Sequence, residues 1–272
     1  MPEADAALGA DLSLLADAAR AAGRIARRHF GKGPETWDKG DGQGPVTEAD
    51  LEIDTMLRHD LLAARPGYGW MSEETADGPE RLDATRLFIV DPIDGTRAFI
   101  DGSRDFSHAL AVVENGVPIV AAIFVPMKNR LYLAASGQGA TLNGVAIRMS
   151  GRAGLDDATV LGSKHNFHDT HWTGGRPPVL KRFVSSLAYR MALVAEGQYD
   201  AMIALRPTWE WDIAAGGLIV TEGGGRVADR RGAPLRFNNP HPQLDGIVAG
   251  TPVVADALLN RLVPVSPARR TR

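Results

Sequence analysis

Three apolar segments separated by tight-turn residues constrain the fold of this chain more than any other feature. The segments are Ala109–Val113, Ile119–Val125 and Leu131–Ala135. The turn residues between and after them are Asn115-Gly116, Lys128-Asn129 and Asn143-Gly144. Because Asn and Gly adopt the positive φ angles that two-residue hairpin turns need, this spacing predicts a meander of antiparallel strands in the middle of the chain.

Two helices are predicted before the meander, which they should cover. Apolar and small residues recur at helical spacing from Leu8 to His29, and Thr47 is a suitable N-cap for a second helix that ends before Pro66. Between the two helices, Gly31–Gly44 is rich in Gly, Asp and Lys and has no apolar periodicity. We therefore expect this segment to be a mobile loop.

After Arg148 the pattern changes to alternating strand-like and helical segments, which is typical of an α/β unit. The expected elements are a strand at Val160–Gly162, a helix at Leu187–Glu196, an extended Tyr199–Ala204, a helix at Asp212–Glu222, a strand at Gly246–Gly250 and a helix around Leu258–Leu262. We place the domain boundary near Ser150–Asp157, so that residues 1–152 form an α+β half and residues 153–272 form an α/β half. The polar tail Pro264–Arg272 is expected to fray.

Composition and charge argue against several classes of function. The 272 residues include 30 Lys and Arg and 33 Asp and Glu, and the resulting net charge of −3 argues against binding to a nucleic-acid polymer. The chain has no Cys, which excludes thiolate catalysis and thiolate-bound zinc. The longest strongly apolar run, Ile119–Val125, is far shorter than the roughly 20 residues of a membrane-spanning helix. We therefore expect a cytoplasmic protein that does not associate with membranes.

Acidic residues stand where strand and helix ends are predicted, at Asp50, Glu73, Glu74, Asp91, Asp94 and Asp212. Alone, each is typical of a helix cap. In Asp91–Thr96, however, Gly95 permits the close approach of a ligand, and Thr96 opens a short helix whose amides could hold a phosphate. Two carboxylates would repel that phosphate unless divalent cations lay between them, and Mg²⁺ prefers oxygen ligands. We therefore hypothesise a two-metal site for phosphoryl transfer.

Signatures of other enzyme classes are missing or ambiguous. A phosphatase with an aspartyl nucleophile would need Asp two residues before Asp94, where this chain has Pro92. No G-x-S-x-G, P-loop or complete G-x-G-x-x-G motif occurs. Trp209 and Trp211 could pack in the core or line a substrate pocket. Three histidines spaced by three residues could form either a metal cluster or part of a solvated loop: His165, His168 and His171.

Taken together, the motifs resemble those of the inositol monophosphatase superfamily of Mg²⁺-dependent, lithium-sensitive phosphatases. Asp91–Thr96 looks like the family's D-P-[IL]-D-G-[ST], and Trp211–Gly216 looks like its W-D-x-A-A-G. Gly137–Gly144 is similar to the G-x-G-A-x-x-N-G hairpin, Ser72–Glu74 stands for G-E-E, and Thr47–Asp50 stands for a T-x-x-D-like segment. Ser in place of the usual Gly is expected to change only backbone freedom. The resemblance covers most of the chain and implies a layered α/β/α/β/α sandwich, commonly a homodimer, with metals in the cleft between its halves.

The resemblance also implies roles for individual residues. Two to three Mg²⁺ ions would be held by Glu73, Asp91, the Ile93 carbonyl, Asp94 and Asp212. Catalytic roles would fall to Glu73 and to Asp50 with Thr96, which would orient the attacking water and help to deprotonate it. The amides of Gly95 and Thr96 would hold the phosphate, and Glu74 would either support the metal ligands from behind or be an ion-pair partner, rather than being a ligand itself.

The substrate is less constrained than the metal site. Pro207–Asp212 resembles the P-T-x-x-W-D of bacterial 3′(2′),5′-bisphosphate nucleotidases, and Ser185–Leu187 is similar to part of their G-S-S-L-K segment. Leu205 stands where inositol monophosphatases carry a Glu for inositol hydroxyls. We therefore expect hydrolysis of 3′-phosphoadenosine 5′-phosphate, with Ser185 and Glu210 as substrate contacts. An inositol-phosphate or broad sugar-phosphate phosphatase is the alternative, and a non-catalytic metal-binding protein is a third interpretation.

Overall fold

The computed structural model describes residues 2–40 and 44–265, and for residues 2–5 it describes the backbone alone. Within these ranges the helices are α1 (Pro2–His29), α2 (Glu48–Ala64), α3 (Thr96–Ile100), α4 (Leu187–Ala195), α5 (Glu210–Glu222) and α6 (Pro252–Leu259). The first strands are β1 (Thr36–Asp38), β2 (Pro45–Thr47), β3 (Gly69–Ser72), β4 (Arg86–Asp94), β5 (Ser107–Glu114), β6 (Val117–Val125), β7 (Arg130–Ala135), β8 (Ala140–Leu142) and β9 (Val145–Ala146). The later strands are β10 (Thr159–Leu161), β11 (Leu180–Arg182), β12 (Ala201–Ala204), β13 (Thr208–Trp209), β14 (Arg226–Ala228), β15 (Gln243–Leu244) and β16 (Ile247–Gly250).

The predicted meander is confirmed as most of a seven-stranded sheet in the order β3-β4-β5-β6-β7-β8-β9. Every neighbouring pair is antiparallel except β3 and β4, which run parallel. Asn115, Asn129 and Asn143 have φ angles of 49°, 51° and 50°, so the turn residues adopt the left-handed conformation that the sequence predicted.

Both faces of this sheet are buried. In β4, Phe88 and Val90 belong to the hydrophobic cluster formed with α1 and α2, whereas Leu87 and Ile89 belong to the cluster formed with α4 and α5. This alternation follows from the two-residue period of a strand. The helices α1 and α2 therefore cover one face of the sheet, as predicted, and α4 and α5, from the second half of the chain, cover the other face.

A second, five-stranded sheet has the order β11-β10-β12-β16-β14 and is mixed rather than all parallel. One of its faces packs on α4 and α5, and the other carries Val160, Ile203 and Val248 against Leu258 of α6. The layers are thus α1 with α2, the first sheet, α4 with α5, the second sheet, and α6, which confirms the α/β/α/β/α sandwich. The sheets lie on either side of residue 152 in the sequence, and the division into two halves there stays a prediction.

Two local predictions are wrong. The last helix is α6, which begins earlier than expected because the Thr251 side chain accepts a hydrogen bond from the Val254 amide and Pro252 occupies the first helical turn. The expected loop Gly31–Gly44 is not irregular throughout, because it contains β1, which pairs with β2 in a short antiparallel ribbon; the mobility of the segment stays a prediction. Positions 41–43 of that loop, and the tail from position 266, lie outside the described residues. None of the described helices combines the length and apolar character needed to cross a bilayer.

Candidate active site

Asp91 and Asp94 lie at the end of β4, three residues apart. In a regular strand they would point to opposite faces of the sheet, since side chains alternate. Here Asp91 pairs with Ala109 and Asp94 pairs with Ser107, so two residues of β4 lie opposite one residue of β5. This β-bulge restores both carboxylates to one side of the sheet.

The acidic cluster consists of Asp91, Asp94 and Asp212, the last from the first turn of α5. One carboxylate oxygen from each lies within 4.8 Å of the other two. Asp91 is 1% exposed, and both of its oxygens lack a hydrogen-bond partner. Burial, followed by the charges of Glu73, Asp94 and Asp212, raises the pKa of Asp91 well above its usual value. A buried, unpartnered carboxylate among other carboxylates fits a divalent cation with oxygen ligands, so this cluster could hold Mg²⁺.

Asp94 is held by the N-terminus of α4. Its Oδ2 atom accepts hydrogen bonds from the Ser186 hydroxyl at 2.6 Å and from the Ala188 amide at 2.5 Å. Ser186 is the N-cap of α4 and also lies 2.9 Å from the Ser107 hydroxyl. The neighbouring Ser185, which is predicted to contact substrate, has its carbonyl bound to Arg190, and its role toward substrate stays a prediction. The N-cap position before an apolar helix was the signal that pointed to Ser186.

Glu73 and Glu74 follow β3 and share one cation. The Lys39 Nζ atom lies 2.7 Å from an oxygen of each carboxylate and is itself 11% exposed. Burial and the Glu73 charge raise the pKa of Glu74 to about 8, since one ammonium group cannot neutralise two buried carboxylates. The β1–β2 ribbon positions this lysine, whose amide donates to the Gly44 carbonyl. Glu74 is therefore an ion-pair partner, as predicted.

The Glu73–Glu74 segment is fixed to α2 on both sides by Asp54. Asp54 accepts hydrogen bonds from the Ser72 hydroxyl at 2.5 Å and from the Thr75 hydroxyl at 2.6 Å. The expectation that Ser72 changes only backbone freedom is therefore wrong, because its hydroxyl anchors the segment. No motif pointed to Asp54, which lies one helical turn after Asp50.

Asp50 and Thr96 lie within hydrogen-bond distance, with 3.3 Å between Oδ1 and Oγ1. The other Asp50 oxygen accepts from the Thr47 amide in a capping box, so the N-terminus of α2 orients this carboxylate. Burial raises the pKa of Asp50 to about 6 against the opposing hydrogen bonds of Thr47. Gly95, with φ of +98°, turns the chain into α3, a conformation that favours Gly.

The sequence matches the inositol monophosphatase family over residues 11–266. The chain belongs to the inositol monophosphatase family. It is 32% identical over 274 residues to the inositol-1-monophosphatase of Mesorhizobium japonicum, covering 95% of this chain and 98% of that protein. It is 31% identical over 265 residues to the Nus factor SuhB of Xylella fastidiosa, covering 93% and 94% of the two chains.

A solved structure, the IMPase of Thermotoga maritima, superposes with a TM-score of 0.76 at 28% identity and covers 96% of both chains. This likeness agrees with the layered sandwich described above. Members of the inositol monophosphatase family are phosphatases, and this chain is accordingly a phosphoric monoester hydrolase by family.

The prediction that Glu210 contacts substrate is wrong. Its side chain is 0% exposed, and its two oxygens accept hydrogen bonds from the amides of Asn238 and Asn239 and from the Asn239 side chain. Asn238 in turn accepts from Arg81, so this carboxylate ties the start of α5 to the segment that follows Glu74. Leu205 is 5% exposed and packs in the outer cluster with α6.

The sequence left open the roles of two tryptophans and of three histidines, and the structure shows what these side chains contact. Trp209 and Trp211 stack on each other, with ring centroids 4.8 Å apart and planes 8° from parallel.

The Nε2 atoms of His165 and His171 are 3.3 Å apart, and His171 Nδ1 lies 3.3 Å from the Arg230 guanidinium. Because Arg only donates, His171 accepts at Nδ1 and carries its proton at Nε2, where a metal would bind. Among the described residues the acidic cluster is the only group of three or more His, Asp or Glu side chains close enough together to share a metal ion.

Proposed function

We propose that this family member is a Mg²⁺-dependent phosphomonoesterase that uses water as its nucleophile. The observation that carries the proposal is the Asp91 carboxylate, which is buried without a hydrogen-bond partner beside Asp94 and Asp212. Two to three ions would be held by Glu73, Asp91, the Ile93 carbonyl, Asp94 and Asp212. When bound, Mg²⁺ supplies Lewis-acid stabilisation of phosphoryl charge and makes a nearby water more acidic.

The residues of the chain orient the reactants and move the proton. Asp50 Oδ1 can accept the Thr96 hydroxyl proton, which leaves the Thr96 oxygen to accept a hydrogen from the attacking water. The same oxygen lies 3.1 Å from the Ile93 carbonyl, so Asp50 and this carbonyl are alternative acceptors for the single hydroxyl proton. The amides of Gly95 and Thr96, at the start of α3, would hold phosphate oxygens.

Phosphate release with Mg²⁺ and with EDTA tests this proposal. Asp91→Asn keeps the size of the side chain but removes the charge that the cations share, so turnover should fall by several orders of magnitude. The control is Asp60→Asn, at an exposed position of α2, which should retain full activity. Phosphate release that continues unchanged in EDTA, or in folded Asp91→Asn, would refute the metal site and favour a different chemistry. No release from any phosphomonoester would favour the non-catalytic interpretation.

For the substrate we propose 3′-phosphoadenosine 5′-phosphate. Between positions 205 and 212 the Glu210 carboxylate is hydrogen-bonded and Leu205 is buried, so neither offers a free carboxylate to a polyol, and the remaining carboxylate, Asp212, belongs to the acidic cluster. The exposed Arg206 lies close enough to Asp212 for its charge to lower the pKa of that carboxyl, although burial and Asp94 keep the pKa well above its usual value. A cation and stacked tryptophans suit a second phosphate and a flat base better than a polyol.

Inositol phosphate is the second candidate, because the Mesorhizobium relative is named an inositol-1-monophosphatase. The nucleotide proposal predicts a kcat/KM at least tenfold higher for 3′-phosphoadenosine 5′-phosphate than for inositol 1-phosphate. Arg206→Ala should raise KM for the bisphosphate but not for the inositol ester, whereas Arg24→Ala, exposed on α1, should affect neither. The opposite ranking of substrates would overturn the nucleotide proposal and favour inositol phosphate.

We further propose a cytoplasmic homodimer that is inhibited by Li⁺ and has no nucleic-acid polymer as partner. Support comes from the family resemblance and, for the last point, from the balanced charge of the chain. Sedimentation velocity, phosphate release at millimolar Li⁺ and an RNA-binding assay test the three biochemical parts separately.

A further inference from the structure

His108 lies opposite the bulge that brings Asp91 and Asp94 together. Its backbone pairs with Phe124 of β6 on one side, and on the other side it lies opposite the two bulge residues of β4, Pro92 and Ile93. Since β5 is an interior strand of the sheet, the His108 side chain starts from a fixed backbone.

The His108 ring forms a hydrogen bond to a backbone carbonyl inside the bulge. Its Nδ1 atom lies 2.5 Å from the Pro92 carbonyl, which is buried. A carbonyl only accepts, so Nδ1 carries the proton and donates it. Without this donor the buried Pro92 carbonyl would lose its side-chain hydrogen bond, and Pro92 has no amide that could add a ladder bond to hold the bulge.

The surroundings keep the ring neutral and in place. His108 is 0% exposed and packs edge-on against Phe106, with centroids 6.2 Å apart, and beside Phe124 at 6.4 Å. Burial, with a contribution from the nearby charge of Arg27, lowers the pKa of His108 to about 4. The Nε2 atom is buried without a partner, so the ring has Nδ1 as its single donor.

We propose that His108 is a positioning residue for the metal site, which holds the Asp91–Asp94 bulge through the Pro92 carbonyl and so keeps both carboxylates on one side of the sheet. This inference rests on the proposed function, because it assumes that the acidic cluster holds Mg²⁺. His108 touches neither substrate nor metal. Groups that orient ligands in this way typically change metal affinity or activity by about 10- to 100-fold when they are removed.

The test compares substitutions that differ in where they place a donor. In Asn the amide nitrogen is two bonds beyond Cβ, as Nδ1 is in His, whereas in Gln it is one bond further. Leu has nearly the shape of Asn and no donor. Calorimetric titration of Mg²⁺ into substrate-free protein should show affinity weakened about tenfold or more in His108→Leu and His108→Gln, and within threefold of wild type in His108→Asn.

Two controls separate the possible causes. Ser150→Ala removes a 2.6 Å hydrogen bond to buried Asp200 in the second half of the chain and should lower the melting temperature without changing Mg²⁺ affinity. Asp91→Asn tests whether the acidic cluster is the Mg²⁺ site. If wild type binds Mg²⁺ and Asp91→Asn does not, the site stands whatever His108 shows.

Unchanged affinity in His108→Leu, or equal weakening in the Asn and Gln variants, would overturn the positioning role. If His108→Leu does not fold, the Asn and Gln pair still decides the question. Wild type that binds no Mg²⁺ at millimolar concentration would overturn both the positioning role and the proposed function.

Discussion

Asp91→Asn should make the metal-free protein more stable and the Mg²⁺-containing protein less stable than wild type. The Asp91 carboxylate is 1% exposed, has no hydrogen-bond partner, and lies beside Asp94 and Asp212. Without a cation these carboxylates repel one another, and an amide of the same size removes one charge from the cluster. With Mg²⁺ the same substitution removes a ligand.

The magnitude follows from the spacing of the carboxylates. Two full charges no more than 4.8 Å apart repel by at least about 3.5 kcal/mol at an effective dielectric of about 20. The folded protein avoids part of this repulsion by binding protons, since burial and the neighbouring charges raise the pKa of Asp91. We therefore expect Asp91→Asn to increase the free energy of unfolding in EDTA by about 1–2 kcal/mol. Mg²⁺ at 100 times its dissociation constant should stabilise wild type by about 2.7 kcal/mol and the variant by much less.

Urea unfolding in EDTA and in saturating Mg²⁺ measures both differences. The matched control is Asp200→Asn, because both Asp200 oxygens accept hydrogen bonds, from Ser150 and from Thr159. An amide there removes the charge that strengthens these hydrogen bonds and replaces one accepting oxygen by an NH₂ group, so this variant should lose stability equally with and without Mg²⁺. The reasoning fails if Asp91→Asn is less stable than wild type in EDTA, or if Mg²⁺ stabilises both proteins to the same extent.

Three other outcomes are expected. Thr96→Ala should lower kcat more than it raises KM in steady-state kinetics, because the hydroxyl orients water while backbone amides hold the phosphate; a change in KM alone would assign it to substrate binding. Ser72→Ala should lower the free energy of unfolding by about 1.5–3 kcal/mol in urea, because it leaves an oxygen of Asp54 without its donor; an unchanged value would contradict the anchoring role. Burial alone would raise the pKa of Asp200, but hydrogen bonds from Ser150 and Thr159 and the charge of Arg152 lower it below the usual 3.8. The stabilisation that the ionised Asp200 carboxylate contributes is therefore complete above about pH 4 and lost as the pH falls through the lowered pKa. Urea unfolding from pH 2 to 6 should show that the free energy of unfolding falls more steeply with acid in wild type than in Asp200→Asn. Parallel curves for the two proteins would contradict this role of Asp200.

Local chemistry was enough to predict much of the fold and the ligand types. Asn-Gly turns between apolar segments specified the meander, and the Thr47–Asp50 capping box specified where α2 begins. The acidic motif is one continuous segment, Asp91–Thr96, so it could be recognised as a candidate metal and phosphate site without a structure. These features depend on backbone preferences and side chains within a few residues of one another.

The groups that hold the site were decided by the tertiary structure. Ser186 reaches Asp94 across 92 positions and Lys39 reaches Glu73 across 34, and neither pairing has a local pattern. Nothing in the sequence distinguishes His108 from other strand residues, and only the register of β4 against β5 shows that it lies opposite the bulge. Glu210 was mistaken for a substrate contact, because the loop that buries its carboxylate lies 28 residues further along the chain. Propensity acts between neighbours in sequence, whereas desolvation forces a buried polar group to find whichever partner the packed fold brings within about 3 Å.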